Sequence, residues 1–299
     1  MSPKITHAPE HLVTVSWLSQ EESRAIAIMR DLEKCLAKVK KKLTYDRVHE
    51  MRVVLRRWYS IWEILTLDRW QDDHYEKAIG STLKALNKQL GKLRDLDVNI
   101  EFAREYSLPD VITESWIKKR KKLTKKVAKR ISKLKVASAL RSLKSYLGKK
   151  AYELEKFLAF SEDELKLSLN DSAYHHMLGF LEATERVAHD QASRAVSDED
   201  LHELRLSVKR WRYILAEFFQ LTNLDLVHSQ KLLGKHHDLS LLKERLESTA
   251  AKLGKKGEIA GLEEAKSRLT LELIALSEEI GPVKENLPYG LRPSVTFEA

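Results

Sequence analysis

The sequence predicts an all-α protein built as two similar helical bundles, related by an approximate twofold axis with a boundary near residue 165. Three observations predict it. Apolar residues recur at helical spacing almost throughout, and no stretch alternates in the manner of a strand. Glycine (10) and proline (6) are scarce over 299 residues, which disfavours a turn-rich β protein. One segment is also written twice, as "HEMRVVLRRWYS" at 49–60 and "HELRLSVKRWRY" at 202–213. Five of the twelve positions are identical and four more keep their character, so an internal duplication is the economical explanation.

In chain order, the periodicity places helices near 16–42, 44–67, 71–92, 94–106 and 110–147. A less regular link around 148–170 precedes helices near 171–195, 198–220, 223–235, 238–253 and 257–281. The first helix holds Cys35 in "RDLEKCLAKVKKK", where the thiol reads as a buried structural group. The second carries the first signature copy. Downstream stands "LGKLRDLDV" (90–98), matched by "LGKHHDLSL" (233–241) in the second half, each with Leu-Gly-Lys, two variable residues and Asp-Leu. The order of signature helix, link and Gly-Lys-x-x-Asp-Leu thus occurs twice. Ser197 with Asp200 three positions on forms an N-terminal cap for the second signature helix. One domain is expected over 16–281, with bundles at 16–165 and 166–281. Residues 1–15 and 282–299 hold all but one of the prolines and are expected as extended tails.

A net charge of +9 and a pI near 9.3 favour polyanionic partners such as nucleic acid, acidic lipid surface or polyphosphate. No run approaches the roughly 18–20 apolar residues of a membrane span, so no membrane role is expected. The N-terminal residues lack the basic-then-apolar order of a signal peptide. A single cysteine excludes an intrachain disulfide and fits a reducing cytoplasm.

On a helical wheel, Met51, Val54, Leu55, Trp58, Ile61, Trp62 and Leu65 share one broad side, and His49, Arg52 and Arg56 lie opposite, flanked by Arg57. The second copy repeats the division. Leu204, Val208, Trp211, Ile214, Leu215 and Phe218 make the apolar side, and His202, Arg205 and Lys209 the basic one, with Arg210, Arg212 and Tyr213 around it. An ordinary solvated helix face mixes signs to form i,i+4 pairs. These stripes are almost purely cationic, and they recur at matching positions. Arginine offers a planar fork for two phosphate oxygens, lysine a mobile point charge, and histidine a donor whose pKa rises beside an anion. Two facing stripes could line one cleft and hold a chain of phosphates.

A third basic element is "IKKRKKLTKKVAKRISKLK" (117–135), with eleven basic and no acidic residues from 118 to 135. Trp116, Leu123, Val127, Ile131 and Leu134 form its apolar stripe. Lys118, Lys122, Lys125, Lys126, Lys129 and Lys133 gather on another side along about 22 Å of helix.

Enzymatic signals are weak. "GKHHDL" invites comparison with helical metal phosphohydrolases, but Arg94 stands where His237 does in the second copy, and no aspartate follows Asp238. Adjacent histidines on a helix diverge by about 100°, unlike the i,i+4 pair that grips zinc. No phosphate-binding Gly-rich loop and no nucleophile elbow is present. Neither catalysis, a metal nor a cofactor is expected.

The paired "HEMRVVLRRW" and "HELRLSVKRWRY", each followed by Gly-Lys-x-x-Asp-Leu, resemble the CHAD family, the conserved-histidine α-helical domain, over roughly 16–281. The resemblance implies two four-helix bundles around a basic central cleft, and non-catalytic binding of inorganic polyphosphate in a granule or scaffold role. By motif, His49, Arg52, Arg56, Arg57, His202, Arg205, Lys209, Arg210 and Arg212 are the implied ligand contacts. Lys92 with Arg94, and Lys235 with His237, extend the set. His237 replaces arginine and Ser240 replaces aspartate in the second copy, so the two halves need not contribute equally. The runner-up is an RNA-backbone binder. Only Tyr59 and Tyr213 stand near the stripes for the base stacking that single strands use.

Overall fold

The computed structural model describes residues 17–65, 73–161, 163–254 and 259–292. These fold into helices α1 (Trp17–Lys41), α2 (Tyr45–Leu65), α3 (Asp73–Glu105), α4 (Asp110–Lys133), α5 (Val136–Ala159), α6 (Asp163–Arg194), α7 (Asp198–Phe218), α8 (Leu224–Leu253) and α9 (Leu262–Glu285), with no strand among the described residues. The signature copies are α2 and α7. Among the described residues no helix is long and apolar enough to cross a membrane.

The element boundaries correct the sequence reading at five places. The segments expected at 71–92 and 94–106 are one helix, α3, and those at 223–235 and 238–253 are one helix, α8. The breaks expected at 93 and at 236–237 both fall inside continuous helix. The expected helix 110–147 divides instead at Leu134, whose extended backbone (φ −75°, ψ 127°) ends α4. The link expected around 148–170 is helical over its described residues except Phe160 and Ser161, being the end of α5 and the start of α6. The segment expected as a tail from 282 is docked over its described residues. α9 runs through Pro282, Leu287 is buried, and Arg292 pairs with Glu185 at 2.7 Å while Tyr289 stacks on His189. Residues 1–15 lie outside the described residues.

The Ser197 cap forms as expected. Its hydroxyl accepts from the Asp200 amide, and the Asp200 carboxylate accepts from the Ser197 amide. Met51, Val54, Leu55, Trp58, Ile61 and Trp62 of α2 are buried, as are Leu204, Val208, Trp211, Ile214, Leu215 and Phe218 of α7. Burial of these apolar sides leaves each basic stripe on the opposite side of its helix.

In the second half, α6, α7, α8 and α9 close a ring in which each helix packs on the next and α9 returns to α6. In the first half, α1–α4 do the same, and α5 lies against α1 and α3 as an additional helix. Between the halves the counterparts meet, α1 with α6, α2 with α7 and α3 with α8, while α1 also touches α7 and α4 also touches α8. Such counterpart packing is what an approximate twofold axis requires. Both halves share one continuous apolar core.

Polar bonds fix the halves at the same seam. The Arg57 guanidinium donates to both carboxylate oxygens of Glu217 (2.6 and 3.2 Å) and to Asp31 (3.3 Å). Arg245 of α8 donates to the Asp95 carbonyl and to Asn99, each at 3.0 Å. Trp116 of α4 donates to Thr249 of α8 at 2.9 Å.

Candidate functional site

Where α2 and α7 meet, their polar sides open on a cleft of about 470 Å³ whose other wall comes from α3 and α8. Arg56, Arg205 and Lys209 supply one side. Lys231, Lys235 and Asp238 of α8 and Glu105 of α3 face them, with Phe102 and Gln230 at the margins.

Each signature arginine is laid across a glycine of the following helix. The Arg52 guanidinium donates to the Asn87 carbonyl (3.2 Å) and side chain (3.1 Å), and a methyl group on Gly91 would stand 2.8 Å from its Nη1. Arg205 crosses Gly234 in the same way but more loosely, its Nε 3.6 Å from the corresponding point. The spacing from His-x-x-Arg to Leu-Gly-Lys therefore has a steric cause: the glycine makes room for the arginine. Gly91→Ala is expected to push the Arg52 guanidinium off Asn87 and lower anion affinity by a few fold. Gly234→Ala is expected to leave affinity unchanged and to add up to about 1 kcal/mol of stability through helix propensity. Calorimetric titration and thermal melts of both variants check the contrast; equal affinities would remove it.

The electrostatics are those of crowded, partly desolvated cations. Burial, then Arg56, Arg205, Arg52 and Arg212, drive the Lys209 ammonium down to about 7. Burial and neighbouring arginines also lower Arg52 and Arg56. Arg52 Nε is buried without a hydrogen-bond acceptor, and so is Arg94 Nη1, whose nearest carboxylate, Glu101, is 4.0 Å away. Folding therefore crowds cations from both halves into a small volume against their mutual repulsion and desolvation. Asp238 lies among them, yet burial raises its carboxyl despite the opposing pull of Arg205 and Arg94.

The signature histidines do not line the cleft, though His49 and His237 lie within electrostatic reach of its arginines. Partial desolvation, with Arg94 and Arg56, lowers His49. His202 and His237 approach Nδ1 to Nδ1 at 3.2 Å, and burial, then Arg205 and His202, hold His237 down at about 4. His236, in "GKHHDL", is instead a core residue of α8, 3.3 Å from the Ser277 hydroxyl. Its position corresponds to buried Leu93 of the first copy. Among the described residues no group of three metal-ligating side chains comes together.

Arg52, Arg56, Arg205, Lys209 and Arg212 lie within mutual electrostatic reach, and Arg94 joins them from α3. Arg212 is oriented by Gln230 (2.7 Å) and lies over the Tyr213 ring, which is itself buried. Lys235 lines the cleft but is held by Glu272 of α9 at 2.5 Å, a bond that raises its pKa. Other candidates lie elsewhere. Arg57 is committed to the seam with Glu217 and Asp31, and Arg210 lies over the Phe180 ring of α6. Lys92 is exposed and does not line the cleft. Nor do the α4 lysines Lys118, Lys122, Lys125, Lys126, Lys129 and Lys133, which are all exposed.

Sequence reasoning missed Lys231, Gln230 and the acidic wall. A signal was available for the first two. Read backward from Leu-Gly-Lys, Asn87-Lys88 aligns with Gln230-Lys231, and Asn87 and Gln230 each hold an arginine of the preceding signature helix. Nothing in the sequence marked Glu105 or Glu272. The second aspartate of "RDLDV" also has its explanation: Asp97 is buried against Arg120 of α4 at 2.8 Å, and its counterpart Ser240 donates to Asp198.

Comparison with known proteins agrees with this geometry. The family model for the CHAD domain matches residues 25–247. Among solved structures, the CHAD domain from the plant Ricinus communis superposes with a TM-score of 0.69 at 17% identity, covering 94% of this chain and 98% of that one. PptA from Streptomyces chartreusis superposes with a TM-score of 0.62 at 12% identity, over 90% and 99% of the two chains. At such identities the likeness is one of fold. No curated protein matches the sequence.

Proposed function

As the chain belongs to the CHAD domain family, we propose that its cleft binds inorganic polyphosphate without acting on it chemically, in the cytoplasm and at polyphosphate granules. The observation that carries the proposal is the convergence of Arg52, Arg56, Arg205, Lys209 and Arg212 from the two signature helices, where burial and then the neighbouring arginines bring Lys209 down to about 7. A linear polyanion relieves that repulsion along its length, whereas a single small anion meets only part of it. The forked guanidiniums suit non-bridging phosphate oxygens. Bases find one ring in reach, Phe102 at the cleft margin, which packs edge-on with Tyr106; Trp58, Trp62, Trp211 and Tyr213 are buried, and the Tyr59 hydroxyl is enclosed, with burial raising it to about 12. Polyphosphate is therefore expected to displace RNA from the protein, and displacement in the opposite sense would favour the nucleic-acid reading.

The pH dependence follows from Lys209. A bound anion stabilises the ammonium, so its pKa is higher in the complex than the value of about 7 in the free protein. Below 7 the lysine is charged in both states and affinity is at its plateau. Above 7 the free protein must take up a proton to bind, and affinity falls by up to about tenfold per pH unit until the bound form also deprotonates. His237, held at about 4, is neutral across this range, and desolvation with Arg94 and Arg56 lowers His49 as well, which moves its contribution towards acid. Calorimetry from pH 6 to 9 with long-chain polyphosphate, where terminal groups are a small fraction, checks this. Lys209→Arg is expected to flatten the profile; a wild-type profile that is already flat would contradict the assignment.

A further inference from the structure

The cleft leaves the largest concentration of positive charge unused. Residues 1–150 carry 34 basic and 18 acidic side chains, and residues 151–299 carry 19 and 26, so the basic excess belongs wholly to the first half. Its densest part is α4. Ile112, Trp116, Val127 and Ile131 bury one side of that helix, and Arg120 is drawn inward to Asp97. Lys121, Lys122, Lys125, Lys126, Lys129 and Lys133 are exposed on the opposite side, and among the described residues no carboxylate pairs with them. Glu114 neutralises only Lys118, at the stripe's start. From Lys118 to Lys133 the row runs about 22 Å.

We propose that this α4 stripe is a second phosphate-chain track, separate from the cleft, which makes the protein a cross-linker of long polyphosphate. The inference rests on the cleft reading above and adds a second point of attachment. The two sites differ physically. The cleft is lined by half-buried Arg56 and Arg205, with Arg52 and Arg212 within electrostatic reach and braced by Asn87 and Gln230, whereas the stripe presents unbraced ammonium groups on a rigid rod. A flexible chain of phosphates can follow a straight row and meet each charge. A duplex backbone winds away from such a row after a few contacts. An acidic lipid surface would be gripped through inserted apolar side chains, and the stripe has none along its lysine run. Single-stranded RNA would need stacking rings, which the stripe also lacks. With two separate tracks, a long chain spans neighbouring molecules and the assembly gains avidity, whereas a short chain engages one site at a time.

The test uses the full chain and the variant Lys122→Gln/Lys125→Gln/Lys126→Gln/Lys129→Gln, whose sites are all exposed and whose fold is monitored by thermal melting. Short-chain polyphosphate, titrated calorimetrically, reports the cleft, and the variant is expected to stay within about twofold of wild type. Long-chain polyphosphate is followed by light scattering, and the variant is expected to need at least about tenfold more protein to scatter equally. Lys209→Glu isolates the stripe: it should retain weak, salt-sensitive binding of long chains that the four glutamines then remove. Undiminished scattering by the glutamine variant overturns the second track, as does a stripe that takes up duplex RNA but not polyphosphate. Absence of short-chain binding to wild type overturns the cleft reading instead, so the two failures are distinguishable.

Discussion

Lys209→Glu is expected to weaken polyphosphate binding at the cleft by a hundredfold or more while leaving the protein folded and more heat-stable than wild type. In the free protein Lys209 lies among Arg52, Arg56, Arg205 and Arg212, so its charge is repelled from four directions. A glutamate there converts those repulsions into attractions and turns the centre of the site against anions. Two charge units removed from a half-buried site outweigh any contact at its exposed rim. Lys209→Met separates the parts of this effect, because it deletes the cation without supplying a new partner. Its stability gain over wild type should be greatest below pH 7, where Lys209 is charged in both folded and unfolded protein and the folded state bears the full penalty. The gain should shrink as pH rises from about 7 towards the unfolded-state value near 10.4. Opposed changes in melting temperature and affinity identify a site assembled for an anion at the expense of stability. A loss of both together would instead mark Lys209 as a structural residue.

Arg57→Ala is expected to have the reverse signature. It removes the partner of Glu217, whose side chain is only 8% exposed, and leaves that carboxylate buried at the seam between halves. Breaking a buried, doubly bonded pair costs about 3 kcal/mol, or roughly 10 °C of melting temperature for a domain of this size. Affinity per folded molecule should remain within about twofold of wild type, since the Arg57 guanidinium bonds Glu217 and Asp31 and does not line the cleft. Combining it with Glu217→Gln should recover part of the stability, because the stranded charge is then gone. Melting curves of the two single variants and the double variant give the coupling directly. A large affinity loss in a fully folded Arg57→Ala protein would return Arg57 to the ligand set.

The contrast between Arg56 and Arg57 shows what the sequence could and could not disclose. Helical periodicity assigned the apolar sides of α2 and α7 correctly, because burial of Trp58 and Trp211 follows from spacing alone. It also placed Arg57 beside Arg56 on the wheel, about 100° away, which is enough to direct it to another helix. Only the packing of α2 against α7 shows that a carboxylate, Glu217, waits there. The same applies to Arg210 over Phe180 and to Lys235 on Glu272. Long-range partners of cations leave no local pattern. Gly91 and Gly234 were legible as repeated residues, but their role was not: each admits an arginine from the facing helix. The docked segment 286–292 was read as a tail from its prolines, but Leu287 and Arg292 anchor it through contacts far away in sequence. Burial moves His49 and His237 away from neutrality and brings Lys209 to it, an outcome that depends on three-dimensional crowding.

The central claim is that one phosphate chain lies between the two signature helices. A crystal grown with short linear polyphosphate tests it most directly. The account requires density for the chain in the cleft, with phosphate oxygens on Arg56, Arg205 and Lys209 and with Arg57 still bound to Glu217. A chain found only on the outer side of α4, with the cleft unchanged, would contradict it.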